Sequence, residues 1–166
     1  MQRFLRLLDA KTIIEIGTYT GLSSAAILSV MNPSRKFVTF DIIPYEAFEN
    51  GVLTTQDFTD NQFQQMIGDI SDFNVLTKYE AIFRAADFIF LDASKDGFFE
   101  RRVLENFQKL GLRHGTILLF DDIKQWNMLQ IWNDILMPKL DITPVGHFTG
   151  SGLVEWDSNI SCFRSD

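Results

Sequence analysis

Cysteine is almost absent from this sequence. Cys162 is the only one in 166 residues, which excludes an intrachain disulfide and a thiolate zinc site and points to a reducing compartment. Histidine is nearly as scarce, and neither His114 nor His147 has an acid or nucleophile at a recognisable spacing, so both read as ordinary surface or strand residues. No apolar run approaches the roughly 20 residues of a membrane span. The opening MQRFLRLLDA is broken by Arg3, Arg6 and Asp9, so neither a signal peptide nor membrane contact is expected and a soluble, cytoplasmic protein is. Positive charge is also in deficit. Lys and Arg number 15 against 22 Asp and Glu, a net charge of −7, which disfavours a phosphate-tracking surface as the main business, so no nucleic-acid partner is expected.

What is present is enough apolar material, 46% of residues, to bury a sizeable core, in a length that suits one domain over residues 1–166. There is no internal repeat, low-complexity tract or linker. The β-branched run TIIEI (12–16) closes on Gly17 and leads into LSSAAILSVM (22–31), good helix material. KFVTFD (36–41) repeats the strand signal after Asn32-Pro33, which stops the helix. A weaker third strand is expected in QFQQMIGD, ending at Asp69, then a helix in SDFNVLTKY capped by Ser71. ADFIFLD (86–92) has the continuous apolar character of a strand buried on both faces. Phe99, Val103, Phe107 and Leu110 recur at helical spacing within 96–110. GTILLFDD (115–122) is a fifth strand and QWNMLQIWNDIL (125–136) a helix closed by Pro138. DITPVGHF, TGSG and LVEWD then suggest a strand, a Gly-rich turn and a returning strand. The pattern predicts an α/β, Rossmann-like doubly wound fold: a mostly parallel seven-stranded sheet with an antiparallel C-terminal hairpin.

In such sheets ligands lie outside the carboxyl ends of the strands. Those ends carry Glu15, Gly17, Asp41, Asp69, Asp92, Asp121 and Asp122. Carboxylates gathered on one rim exclude a polyphosphate as the obvious ligand unless a metal intervenes. EIGTYTG (15–21) puts glycines where a chain must turn sharply at a helix start, yet its G-x-x-x-G spacing is not the G-x-G-x-x-G of a dinucleotide site. Asp41, ending the second strand, could accept both hydroxyl protons of a ribose. Hard oxygens of Asp92, Asp121 and Asp122, from two adjacent strand ends, suit Mg²⁺ or another divalent cation. The bland alternatives stay open: Asp121 or Asp122 as a cap for the helix near Gln125, Lys95 as a solvated lysine, Trp126 as core.

EIGTYTGLSS resembles the first motif of class I S-adenosylmethionine-dependent methyltransferases, especially the small O-methyltransferases of the catechol and caffeoyl-coenzyme A type. FLDASKD is similar to that group's strand-four segment, and FDDIKQW to its strand-five acid followed by Asn. The resemblance runs from about Leu5 to Trp156. It implies that Glu15, Gly17 and Gly21 belong to the methionine end of the cofactor site, that Ser23 binds the carboxylate and Tyr19 flanks the sulfonium. It further implies that Asp41 takes the ribose, that Asp69 and Ile70 meet the adenine, and that Asp92, Asp121 and Asp122 hold the metal, the third being Asn in the resembling enzymes. Lys95 would be the general base, with Asp92 beside it, provided its amine is lowered by burial or a nearby cation. Trp126 falls where the family has an aromatic beside the acceptor.

Only MQRFLRLLDAK precedes the first strand, where the resembling enzymes have helices that cover the cofactor, so a lid is expected to be missing, trimmed or supplied by another subunit. The expected activity is methyl transfer from S-adenosylmethionine to a small-molecule acceptor, at a hydroxyl oxygen, with a homodimer compatible with the chain. The alternative is a non-catalytic module that binds the cofactor or a protein. A nicotinamide-dependent reductase is disfavoured, since both G-x-G-x-x-G and a Tyr-x-x-x-Lys pair are lacking.

Overall fold

The structure, a computed structural model, describes residues 1–59, 62–146 and 148–164. Seven strands form one sheet: β1 (Thr12–Ile16), β2 (Lys36–Asp41), β3 (Phe63–Ile67), β4 (Phe88–Leu91), β5 (Ile117–Asp121), β6 (Lys139–Asp141) and β7 (Ser151–Glu155), in the order β3-β2-β1-β4-β5-β7-β6. The first five are parallel, and β7 pairs antiparallel with both β5 and β6. Strand order reverses between β1 and β4, which opens a crevice at their carboxyl ends.

Alternation along the strands divides the core in two. Ile14, Ile16, Val38, Phe40, Ile89, Leu91, Leu118 and Phe120 face one side. There they meet Val103, Leu104, Phe107 and Leu110 of helix α5 (Phe98–Leu110) and Met128, Ile131 and Trp132 of α6 (Met128–Asp134). Ile13, Phe37, Phe63, Phe88, Phe90 and Leu119 face the other, against Leu5 of α1 (Gln2–Leu7) and Ile27 of α2 (Leu22–Leu28). The run after β3 splits into two short helices, α3 (Phe73–Leu76) and α4 (Glu80–Arg84), around a 3₁₀ turn.

Several boundaries differ from the sequence reading. The third strand stops at Ile67, not Asp69: Gly68 turns there and donates its N–H to the carbonyl of Asp41 at 2.9 Å. Asp72, not Ser71, caps α3, its carboxylate accepting from the Asn74 N–H at 2.8 Å, because a carboxylate is the stronger acceptor at a helix start. Helix α2 ends at Leu28 rather than Met31. The hairpin is built from Lys139–Asp141 and Ser151–Glu155, while Thr143–Val145 forms a 3₁₀ turn, Pro144 fixing φ and lacking an N–H for a ladder. Half of the expected TGSG turn therefore lies within β7, and His147 lies outside the described residues. Gly152 of β7 leaves room for the Trp132 ring, which a Cβ there would strike. The segment just after β5 is latched to the approach to β7 by Ile123 N–H to Gly150 C=O and Lys124 N–H to Thr149 C=O, at 3.2 and 3.0 Å. Among the described residues no helix is long and apolar enough to cross a membrane.

Candidate functional site

The β1–α2 connection is set by backbone demands. Gly17 has φ +101°, and a Cβ on it would collide with the carbonyl of Asp92 at the end of β4. Gly21, at φ +83°, starts α2 and donates its N–H to the Thr18 carbonyl at 2.8 Å. Tyr19 between them is also left-handed, at φ +45°. Its N–H is held by Asp41 Oδ2 at 2.8 Å, while Asp41 Oδ1 takes the N–H of Ile43 at 3.1 Å. Asp41 therefore organises two loops and still has acceptor capacity facing the cavity.

That cavity, about 970 Å³, opens at the carboxyl ends of β1, β2 and β4. Gly17, Tyr19, Ser23, Asp41, Asp69, Ile70, Asp92, Lys95 and Trp126 all line it. Among the others that line it, Thr18, Leu22, Ile42, Phe98 and Arg102 were not singled out by the sequence reading. The signal of the apolar ones was weak, since an apolar residue after a strand end or at a helix start reads as ordinary until the fold leaves it exposed, as it does Ile42 and Phe98. Trp126 is 72% exposed and so belongs to the rim, not the core.

Glu15 is placed otherwise than expected. It shares the face of Ile13 and lies fully buried beneath α2, outside the cavity lining. Its Oε2 accepts from the hydroxyls of Ser24 and Thr39, the latter at 2.7 Å, and Oε1 has no hydrogen-bond partner among the described residues. Because the hydroxyl proton of Thr39 goes to Glu15, the 2.7 Å contact between Thr39 and the cavity-lining Thr18 has Thr18 as donor. Burial pushes the Glu15 carboxyl up to about 7, with the hydroxyls of Ser23, Ser24 and Thr39 pulling the other way and the charge of Asp92 adding to the rise.

Next to the cavity, whose lining includes Asp92 but neither Asp121 nor Asp122, carboxylate oxygens of these three residues lie within 4.8 Å of one another. Lys95 Nζ stands 2.8 Å from Asp92 Oδ1 and donates to Asp122 Oδ2. Burial raises the Asp92 carboxyl, helped by Asp121 and Asp122 and opposed by Lys95. Burial alone would lower the Lys95 amine, but its bonds to Asp122 and Asp92 outweigh this and hold it above its ordinary value. The lowered amine that the resemblance requires of a base is thus not the state seen here, nor is a solvated lysine, since the side chain is 16% exposed. Neither Asp121 nor Asp122 caps a helix, because α6 starts at Met128 with Asn127 as its N-cap. Lys95, Asp122 and Trp126 are all left-handed, at φ +59°, +56° and +44°. Such non-glycine conformations each cost on the order of 1 kcal/mol and gather where structure over-determines them.

Away from the site, His114 is a surface residue paired with Asp157 at 3.3 Å. Cys162 is buried, and burial pushes its thiol up to about 12, so it is inert as a nucleophile near neutrality.

The chain is similar to several solved structures. An S-adenosylhomocysteine-bound methyltransferase from Podospora anserina superposes with a TM-score of 0.67 at 18% identity, over 94% of this chain and 76% of that one. An O-methyltransferase from Bacillus cereus, in complex with the same ligand, gives 0.62 at 18% identity, over 93% and 78%. A Staphylococcus aureus protein assigned as a caffeoyl-CoA O-methyltransferase gives 0.63 at 19% identity, over 93% and 80%. The sequence profile of a methyltransferase domain matches residues 14–123, most of the chain, from within β1 to just past β5. By that match, the chain belongs to the methyltransferase-domain family.

Proposed function

We propose that this protein transfers the methyl group of S-adenosylmethionine to a hydroxyl oxygen of a small acceptor. The observation that carries the reading is the convergence of the Gly17 loop, Asp41, the Asp69–Ile70 turn and the Asp92–Lys95 pair on one cavity. Along this wall the methionine end falls to Gly17, Thr18 and Ser23, the ribose to Asp41, and the adenine to Asp69 and the buried Ile70. Gly21 serves indirectly, by starting α2. Glu15 acts from behind, through the Thr18–Thr39 hydroxyls.

Bound S-adenosylmethionine supplies an activated methyl group on a sulfonium. A lone pair of the acceptor oxygen forms the new O–C bond as the C–S bond breaks, its electron pair staying on sulfur to leave a neutral thioether. The hydroxyl proton departs to a carboxylate oxygen of Asp92, since Lys95 beside it is already an ammonium. The chain's task is alignment and exclusion of water, for which the rim of Tyr19, Leu22, Phe98 and Trp126 presents apolar surface.

The donor set of Asp92, Asp121 and Asp122 is oxygen-only and drawn from two neighbouring strand ends, which fits Mg²⁺ or Mn²⁺. These three would hold it, and it would orient the acceptor and acidify its hydroxyl.

The test is isothermal titration with S-adenosylhomocysteine, followed by transfer of labelled methyl from S-adenosylmethionine to a panel of mono- and dihydroxy aromatic and aliphatic acceptors. Saturable binding and a labelled ether are expected. Absence of binding would overturn the reading, and binding without transfer to any acceptor would favour a cofactor-binding module.

A further inference from the structure

The position of Lys95 says something about how the acidic corner is used. The ammonium does not lie at its edge: it stands between Asp92 and Asp122, carboxylates of two different strand ends, whose oxygens are within 4.8 Å of each other and of Asp121. That is the space in which an ion shared by the three would have to sit.

The backbone beneath Lys95 is fixed. Its N–H donates to Glu100 Oε1 at 2.6 Å, and the other carboxylate oxygen of Glu100 takes the N–H of Gly97 at 3.0 Å. Glu100 is 1% exposed. Lys95 and Asp122 both hold left-handed backbone conformations, and their side chains meet in an ion pair. Any rearrangement is therefore left to the four-carbon stem of Lys95, which lines the open cavity and has room to swing into it. Asp122 matters equally. An amide at that position would offer the ammonium no charge, whereas here a second carboxylate clamps it.

We propose that Lys95 is a tethered cation that occupies the divalent-ion position, so that the corner alternates between an ammonium-closed and an ion-bound state. An ion entering must displace an ammonium already paired to two of its ligands, and this lowers the apparent affinity of the site. It also keeps three clustered carboxylates from standing uncompensated when no ion is bound, which a low-dielectric corner would penalise. Lys95 is in this sense a positioning residue for the ion. The inference rests on the metal-binding part of the proposed function.

The experiment is a titration of the full chain with Mn²⁺, reading free ion by electron paramagnetic resonance, on wild type, Lys95→Met, Lys95→Arg and Asp121→Ala. The same samples are melted with and without Mn²⁺ and titrated with S-adenosylhomocysteine. Removing the competing charge in Lys95→Met should tighten Mn²⁺ by roughly tenfold or more. It should also lower stability without the ion and enlarge the rise in melting temperature that Mn²⁺ produces. Lys95→Arg, which keeps the charge, should stay near wild type, and Asp121→Ala should weaken Mn²⁺ binding. Unchanged or weaker Mn²⁺ binding in Lys95→Met, with wild type binding normally, would overturn the tethered-cation inference alone. No Mn²⁺ binding in wild type or Lys95→Met would overturn it together with the metal assignment, while intact S-adenosylhomocysteine binding would leave methyl transfer standing.

Discussion

Replacing Glu15 by Gln should remove a pH dependence of stability that this one buried carboxyl imposes. In the folded chain the group is raised to about 7, mainly because burial penalises its charge, from 4.5 when exposed. Between those values the folded state holds a proton that the unfolded state has released, so stability is greatest below about 4.5, falls as pH rises to 7, and levels off above. A difference of 2.5 pKa units corresponds to about 3 kcal/mol. Glutamine does not titrate. Its carbonyl can still accept from Ser24 and Thr39, and its amide, placed where Oε1 has no partner, costs the same at every pH. The quantity to measure is therefore the difference between variant and wild type in urea unfolding free energy at pH 5, 6, 7 and 8, in which all other titrating groups cancel. It should move in favour of Glu15→Gln by up to about 3 kcal/mol between pH 5 and 8, or roughly 6 to 12 °C in melting temperature for a chain of this size. Parallel pH profiles would show that Glu15 keeps an ordinary carboxyl and would refute the reasoning.

Gly17→Ala should abolish S-adenosylhomocysteine binding in a titration and lower the melting temperature as well, because the new Cβ meets the Asp92 backbone rather than a movable side chain, at a φ of +101°. Asp41→Ala should weaken S-adenosylhomocysteine by roughly 1 to 3 kcal/mol, from lost charge-assisted bonds to the ligand and from release of the Tyr19 and Ile43 N–H groups; unchanged affinity would place the ribose elsewhere. Lys139→Met should cost about 1 to 3 kcal/mol in chemical denaturation, since Lys139 Nζ donates to the carbonyls of Trp132, Asn133 and Ile135 at the end of α6, and binding at the cavity should survive.

The strands best legible in the sequence were those whose residues had one environment to satisfy. TIIEI and KFVTFD are buried nearly throughout and bounded by Gly17 and Asn32-Pro33, and their structural limits coincide with the sequence reading. The third strand was blurred because Gln64 and Gln65 lie at the sheet edge, where no second partner demands apolar side chains. The hairpin was misplaced because β6 is three exposed residues with little pattern of their own. Among site residues, Gly17, Asp41, Asp69 and Asp92 were visible as punctuation at strand ends. Glu15 was grouped with them by its motif, although the period of two along β1 already set it on the face of Ile13 and under α2. The ammonium position of Lys95 had no counterpart in spacing, since it depends on Asp122 arriving from 27 residues away.

The last strand of the sheet to be synthesised is not its edge. β7 inserts between β5 and β6, and Asp121 of β5 finds its β7 partner, Ser151, 30 residues later. While the chain emerges from a ribosome, the parallel sheet through β5 can assemble with the wall formed by Gly17, Asp41 and Asp92 already in place. The Asp121–Asp122 end, however, lacks its latch until Thr149 and Gly150 appear. Nascent chains arrested before that point should thus acquire the cavity wall before the acidic corner beside it. Maturation of the acidic corner is then a late event of biosynthesis, timed by the hairpin rather than by the motifs that carry its acids.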